Sequence, residues 1–127
     1  MMKKYLVLSA AMILVSLITA CRGEVKIYTD PAMPIEVKVR HEFIIATSSN
    51  PSTGYMWREE FDENMLELKQ SIFEISEAVK RGEAQVGLEQ HFHFKALKKG
   101  TTEVEINLLG PSLQWITEQK KFTVNIK

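Results

Sequence analysis

The chain has 127 residues, enough for one domain but not for two. Its 16 basic residues balance its 16 acidic ones, which argues against a nucleic-acid-binding protein because such proteins carry a basic excess. With 45% hydrophobic and 25% charged residues, the composition is that of a globular protein and not of a disordered one.

The first 20 residues have the pattern of a signal peptide. Lys3 and Lys4 give a positively charged start, residues 5–18 form an apolar run that is short for a membrane span, and small residues precede a cysteine. Residues 17–21, Leu-Ile-Thr-Ala-Cys, resemble a prokaryotic lipoprotein box, in which cleavage leaves the cysteine first in the chain with lipid on its sulfur. Cys21 is the only cysteine.

We therefore predict a lipoprotein signal peptide over residues 1–20, a lipidated Cys21 with a short tether over 21–23, and one domain over 24–127. The mature protein is expected to be extracytoplasmic and lipid-anchored to the cell membrane or envelope, because two or more acyl chains hold a protein stably on a bilayer. The alternatives are a secreted protein with a spare thiol and an uncleaved anchor. Without a second cysteine, the core alone must stabilise the mature domain.

Short segments of alternating polarity follow one another along this domain. They are typical of strands that bury one face, and they cover residues 24–29, 35–39, 55–59, 88–97, 101–109 and 117–126. Residues 42–47 are more continuously apolar, as in a central strand, and residues 66–75 fit one bent strand or two. We expect Trp57, Phe122, Val124 and Ile126 to point inward.

Seven or eight short strands without a long helical period predict an all-β fold, an immunoglobulin-like antiparallel β-sandwich. Three connections are long and irregular, and we call them the first loop (residues 48–54), the second loop (76–87) and the third loop (109–116). Residues 76–86 are expected to form a long mobile loop. With immunoglobulin-like connections, all three loops fall at one end of the sandwich.

The first loop has the residues of a stiff, exposed turn. Pro51 fixes its own φ and favours an extended Asn50, and Gly54 can take a positive φ. The side chains of Asn50, Ser52 and Thr53 can hydrogen-bond to nearby backbone groups. Such a turn either presents its backbone to a partner or simply connects two strands.

Residues 50–55, Asn-Pro-Ser-Thr-Gly-Tyr, resemble the first inhibitory loop of the chagasin family, whose members inhibit papain-like cysteine proteases; the family has Asn-Pro-Thr-Thr-Gly and then an aromatic residue. Trp57 stands where the family usually has tryptophan. Residues 92–102, Phe-His-Phe-Lys-Ala-Leu-Lys-Lys-Gly-Thr-Thr, are similar to its Phe-x-Phe-Lys-Ala-x-x-x-Gly-Thr/Ser segment. The resemblance covers nearly all of residues 24–127.

Two loops depart from the family pattern. The second loop usually reads Gly-x-Gly-Gly and here keeps one glycine, Gly87. The third usually carries Arg-Pro and an aromatic residue, whereas this chain has Gly110 before Pro111 and places its aromatic residue, Trp115, farther on.

The resemblance implies a reversible protease inhibitor whose three loops enter the active-site cleft as a wedge. The first loop would lie over the catalytic thiol, Gly87 would let the second loop approach the cleft wall, and Trp115 would be an aromatic anchor. The implied protease-binding residues are Asn50, Pro51, Ser52, Thr53, Gly54, Val86, Gly87, Pro111 and Trp115.

We expect no enzymatic activity and no cofactor. The expected partners are papain-like cysteine proteases and, through the lipid, the membrane; nucleic acid is not one, and the protein is expected to be a monomer.

Two alternatives remain open. One is a lipid-anchored binding or adhesion module that has kept the sandwich but lost inhibition, with Trp115 packed into the core. The other is an enzyme or metal carrier that uses His91 and His93, since these share one face of a strand and could take Glu89 or Glu105 as a third ligand. The simpler interpretation of these histidines is a solvated sheet face. No pattern of a catalytic nucleophile and its base is present.

Overall fold

A computed structural model of the protein describes residues 24–84, 87–112 and 114–127. Within these residues the chain forms two four-stranded sheets with little helix. The elements are β1 (Lys26–Tyr28), β2 (Ile35–Val37), β3 (Glu42–Ser49), a 3₁₀ turn (Pro51–Thr53), β4 (Met56–Phe61), β5 (Leu66–Ile75), α1 (Glu77–Lys80), β6 (Leu88–Ala96), β7 (Gly100–Leu109) and β8 (Ile116–Ile126).

The strand order is β1-β3-β6-β5 in the first sheet and β2-β8-β7-β4 in the second. This arrangement confirms the immunoglobulin-like β-sandwich. Its two short edge strands differ from the antiparallel expectation, because β1 pairs with β3 and β2 pairs with β8 in parallel. The chain crosses from one sheet to the other between β1 and β2, through a segment that contains Pro31 and Pro34. A crossing connection of this kind allows parallel pairing, which a tight hairpin does not.

The core lies between the sheets and is built from the alternate residues of each strand. Trp57, Phe122, Val124 and Ile126 are buried, as the alternation predicts. Phe94 is at its centre: its ring stacks on Phe43 at 5.4 Å and meets Phe61 edge-on at 5.1 Å, between centroids. Residues 66–75 form one strand with a register shift between Leu68 and Gln70, which accounts for its loose alternation.

The structure differs from the sequence prediction in the second loop, where a one-turn helix replaces the start of the expected mobile loop. The Ser76 hydroxyl accepts a hydrogen bond from the Val79 amide at 3.4 Å and so caps α1. Glu77 in the first turn and Lys80 in the last complement the helix dipole. The amides of Glu83 and Ala84 then donate to the Ala78 carbonyl, so the chain folds back over the helix.

Residues 1–23 lie outside the described part of the protein, and with them the predicted signal peptide, Cys21 and the tether. Val86 and its neighbour Gln85 are also outside it. Among the residues that are described, no helix has the length and apolar character needed to cross a bilayer.

Candidate functional site: a rim of three loops

The three loops lie side by side at one end of the sandwich. Residues 48–50 of the first loop and residues 76, 78, 84 and 87 of the second line one surface depression of about 490 Å³. On its other side the first loop touches the third: a Cβ atom added at Gly54 would lie 3.3 Å from Pro111 Cγ. The first loop is therefore central, with a neighbour on each side, and we call the three loops together the rim.

The first loop is held in shape by its own hydrogen bonds. In the 3₁₀ turn, the Thr53 amide donates to the Asn50 carbonyl (3.2 Å) and the Gly54 amide to the Pro51 carbonyl (3.1 Å). The Thr53 hydroxyl also donates to the Asn50 carbonyl at 2.7 Å, and the Ser52 hydroxyl donates to Asn50 Oδ1 at 2.6 Å. Gly54 ends the turn with a φ of 82°, in the left-handed region that favours glycine. The turn is thus ordered while fully exposed.

Trp57, on β4, stabilises the start of the first loop. Its indole Nε1 donates to the carbonyl of Ser48 at 2.8 Å. The Lys120 ammonium lies 5.0 Å from the centroid of the indole ring and donates to the Thr47 hydroxyl at 2.9 Å. Because Thr47 and Ser48 lead directly into the loop, these contacts fix the direction in which the loop leaves the sheet.

Gly87 closes the second loop, and its position requires glycine. The Ser76 amide donates to the Gly87 carbonyl at 3.0 Å, which joins the two ends of the loop. A Cβ atom added at Gly87 would lie 2.6 Å from Ser76 Oγ, the atom that caps α1. A side chain at position 87 would therefore displace the Ser76 hydroxyl that caps α1. It would also fill part of the depression beside the first loop. Val86, also predicted to bind protease, is outside the described residues.

The third loop exposes its aromatic residue. The Gly110 amide donates to the Trp115 carbonyl at 3.4 Å, which brings the two ends of the loop together. Trp115 is 73% exposed, so the indole is available to a partner and does not belong to the core. Pro111 is exposed as well and packs against the first loop at Gly54.

The rim suits burial against another protein because its first and third loops contain no ionisable side chain. Burying such a surface avoids the large cost of removing charges from water. The charges of the second loop are partly neutralised by its own ion pairs, Lys80 with Glu77 and Arg81 with Glu83.

Sequence reasoning missed several apolar side chains that stand exposed around the rim. They lie in the strand ends that lead into the loops: Tyr55, Met56, Phe73, Ile75, Leu88 and Ile116. The only local signal is that apolar alternation continues to the end of each strand. That pattern gives the face on which a side chain lies, but not whether the opposite sheet extends far enough to cover it.

The residues of the metal-carrier alternative are brought together only in part. His91 and His93 share the outer face of the first sheet, with ring centroids 6.4 Å apart. Glu89 precedes them on the same strand, whereas Glu105 lies on β7 in the second sheet and is wrong as a third ligand. In the described parts of the chain, no three His, Cys, Asp or Glu side chains are grouped so as to hold a metal ion.

Comparison with solved structures shows that the fold is shared with two proteins. The crystal structure of the cysteine protease inhibitor EhICP2 from Entamoeba histolytica superposes with a TM-score of 0.65 at 20% identity, over 84% of this chain and 100% of that one. The solution structure of Amebosin gives 0.56 at 17% identity, over 83% and 100% respectively. At such identities the likeness concerns the fold alone.

Sequence comparison identifies the family. No significant match to a curated protein is found. Residues 36–126, well over half of the chain, match the model described as Chagasin family peptidase inhibitor I42. This segment contains all of β2 except Ile35, the strands β3 to β8 and the whole rim. The chain therefore belongs to the chagasin family of peptidase inhibitors.

Proposed function

We propose that this protein is a reversible inhibitor of papain-like cysteine proteases and that it enters the active-site cleft with the rim as a wedge. The observation that carries the proposal is the rim itself, a proline-braced turn flanked on each side by another loop. The proposal is supported by membership of a peptidase inhibitor family and by the shared fold of a cysteine protease inhibitor from Entamoeba histolytica.

The first loop would lie over the catalytic thiol of the protease. Its turn is held by two backbone and two hydroxyl hydrogen bonds before any partner is present, so little conformational entropy is lost on binding. The hydroxyl groups of Ser52 and Thr53 donate their hydrogens to acceptors on Asn50, within the turn. Toward the protease these side chains therefore offer oxygen atoms as hydrogen-bond acceptors, and not donors.

The same geometry explains why such an inhibitor would not be cleaved. The carbonyl groups of Asn50 and Pro51 accept hydrogen bonds inside the turn, which keeps the loop folded back on itself. A protease would have to unfold the turn to obtain an extended segment. Binding therefore blocks the cleft without a covalent step and is reversible.

The alternative of a binding module that has lost inhibition predicts a Trp115 packed into the core. Trp115 is instead among the most exposed apolar side chains of the described chain. It is thus available as the anchor that the inhibitor requires.

Titration of papain with the soluble chain from Arg22 onward tests the proposal. We expect complete inhibition at micromolar concentration or below. Ser52→Pro should weaken it because proline disfavours the helical conformation that Pro51 adopts in the turn, and Thr53→Trp should weaken it by removing the hydroxyl hydrogen bond. Lys99→Ala, in the hairpin at the far end of the sandwich, is the control. Absence of inhibition at micromolar concentration would refute the proposal.

We also propose that the protein is a lipoprotein anchored through Cys21 outside the cytoplasm. The direction of β1 supports this: β1 runs parallel to β3, and β3 runs toward the first loop. The start of β1 therefore lies toward the end of the sandwich opposite the rim, and a membrane anchor at that end would leave the rim free. Metabolic labelling with a fatty-acid analogue should mark the natural chain and not Cys21→Ser; equal labelling of both would contradict the anchor.

A further inference from the structure

The outer face of the first sheet carries two imidazoles side by side. His91 and His93 lie on β6, with ring centroids 6.4 Å apart and ring planes inclined at 32°. Their strand neighbours on this face are Ala46 and Ile44 of β3, with Ile72 of β5 opposite His91 and Gln70 of β5 opposite His93. The two rings thus form a polar pair within a mostly apolar part of the sheet surface.

Each imidazole has one nitrogen without a partner. In the described chain, the Nε2 atoms of His91 and His93 are the only buried side-chain nitrogen or oxygen atoms that make no hydrogen bond. An unsatisfied buried polar atom destabilises the folded state, and native proteins contain few of them. Two such atoms on neighbouring rings are available to bind a ligand. Both histidines are partly exposed to solvent as whole residues.

The charges around the pair favour a cation over an anion. Glu89 lies on the same face two residues before His91, and Glu74 stands opposite Glu89 on β5. On the other side of the pair, Glu42 stands opposite Lys95. Burial lowers the pKa of His93, and the His91 ring lowers it further, while Glu42 and Glu74 act in the opposite direction. Neutral imidazole is a common metal ligand in proteins.

We propose that His91 and His93 together bind one divalent cation of borderline softness, Cu²⁺ most tightly and Zn²⁺ less so. Metal–imidazole bonds are about 2.0–2.1 Å long, so two rings with centroids 6.4 Å apart can share an ion once their side chains rotate to aim both Nε2 atoms at it. Because no third ligand is grouped with them among the described residues, water completes the coordination. The ion is exchangeable, and the site is distinct from the rim.

Cu²⁺ titration of the full chain in non-ionic detergent, followed by electron paramagnetic resonance, tests this site. The experiment uses a Cys21→Ser background so that the thiol does not compete for the metal. We expect the superhyperfine pattern of two imidazole nitrogens on one Cu²⁺. His91→Gln and His93→Gln should each remove the two-nitrogen pattern and weaken binding at least about tenfold, since losing even an outer-shell partner of a metal site costs that much.

His41→Gln is the matched control, because His41 is exposed and away from the pair; it should leave both pattern and affinity unchanged. The N-terminal amine is the same in every variant, so any Cu²⁺ that it binds does not affect the comparison between variants. The spectrum of the Cys21→Ser chain is informative even if a histidine variant misfolds. A one-nitrogen pattern, or a two-nitrogen pattern that survives His93→Gln or disappears with His41→Gln, would overturn the proposal.

Discussion

Trp115→Ala should raise the inhibition constant for papain about 30-fold or more. Exposed tryptophans at the centre of an interface are typical hot spots, and truncating one costs about 2 kcal/mol or more, which corresponds to about 30-fold in affinity. Trp115 is 73% exposed and stands on the third loop, next to the turn that we place over the catalytic thiol. The measurement is a comparison of inhibition constants for the natural chain and the variant.

The same substitution should leave the fold intact. The exposed side chain of Trp115 has little burial to lose, and alanine keeps the backbone carbonyl that accepts from Gly110, so we expect the free energy of unfolding to change by less than about 0.5 kcal/mol. Trp115→Phe retains an aromatic surface and should lose much less inhibition. An unchanged inhibition constant for Trp115→Ala would show that the third loop does not anchor the complex, even if the chain still inhibits papain.

The strands could be predicted from the sequence because each buries one face. Phe122, Val124 and Ile126 were expected inward from their spacing alone, and they are buried. Period-two alternation is a local property that needs no knowledge of the neighbouring strand. The direction in which strands pair could not be predicted in this way. The segments of β1 and β2 alternate like the other strands, yet both strands pair in parallel. Pairing direction depends on where the chain crosses between the sheets, which is not a local property.

The candidate site could be predicted best at its first loop. Pro51 and Gly54 restrict their own backbone, so the sequence alone indicates the stiff turn that the structure shows. The second loop could not be predicted as well, because α1 is a single turn that depends on the Ser76 cap and on contacts with Gly87. The exposure of Trp115 depends on whether another element covers it, which no local pattern reveals.

Phe94→Ala should lower the free energy of unfolding by about 3–5 kcal/mol, the largest loss of stability among the variants discussed. Phe94 is fully buried and contacts Phe43 and Phe61 through its ring, so the substitution removes apolar burial and leaves a cavity between the sheets. Domains of this size are stable by roughly 5–15 kcal/mol, and this chain has no disulfide to add to that. Urea denaturation followed by circular dichroism measures the change.

Phe73→Ala is the matched control, since it makes the same chemical change in the same sheet. Phe73 lies on β5 on the side that faces the second sheet, but it is 53% exposed because it stands beyond the edge of the core. Its ring has little burial to lose, so we expect less than about 1 kcal/mol. Equal losses for the two variants would mean that the core extends to the end of β5, and that the apolar surface beside the second loop is a structural part of the domain and not available to a partner.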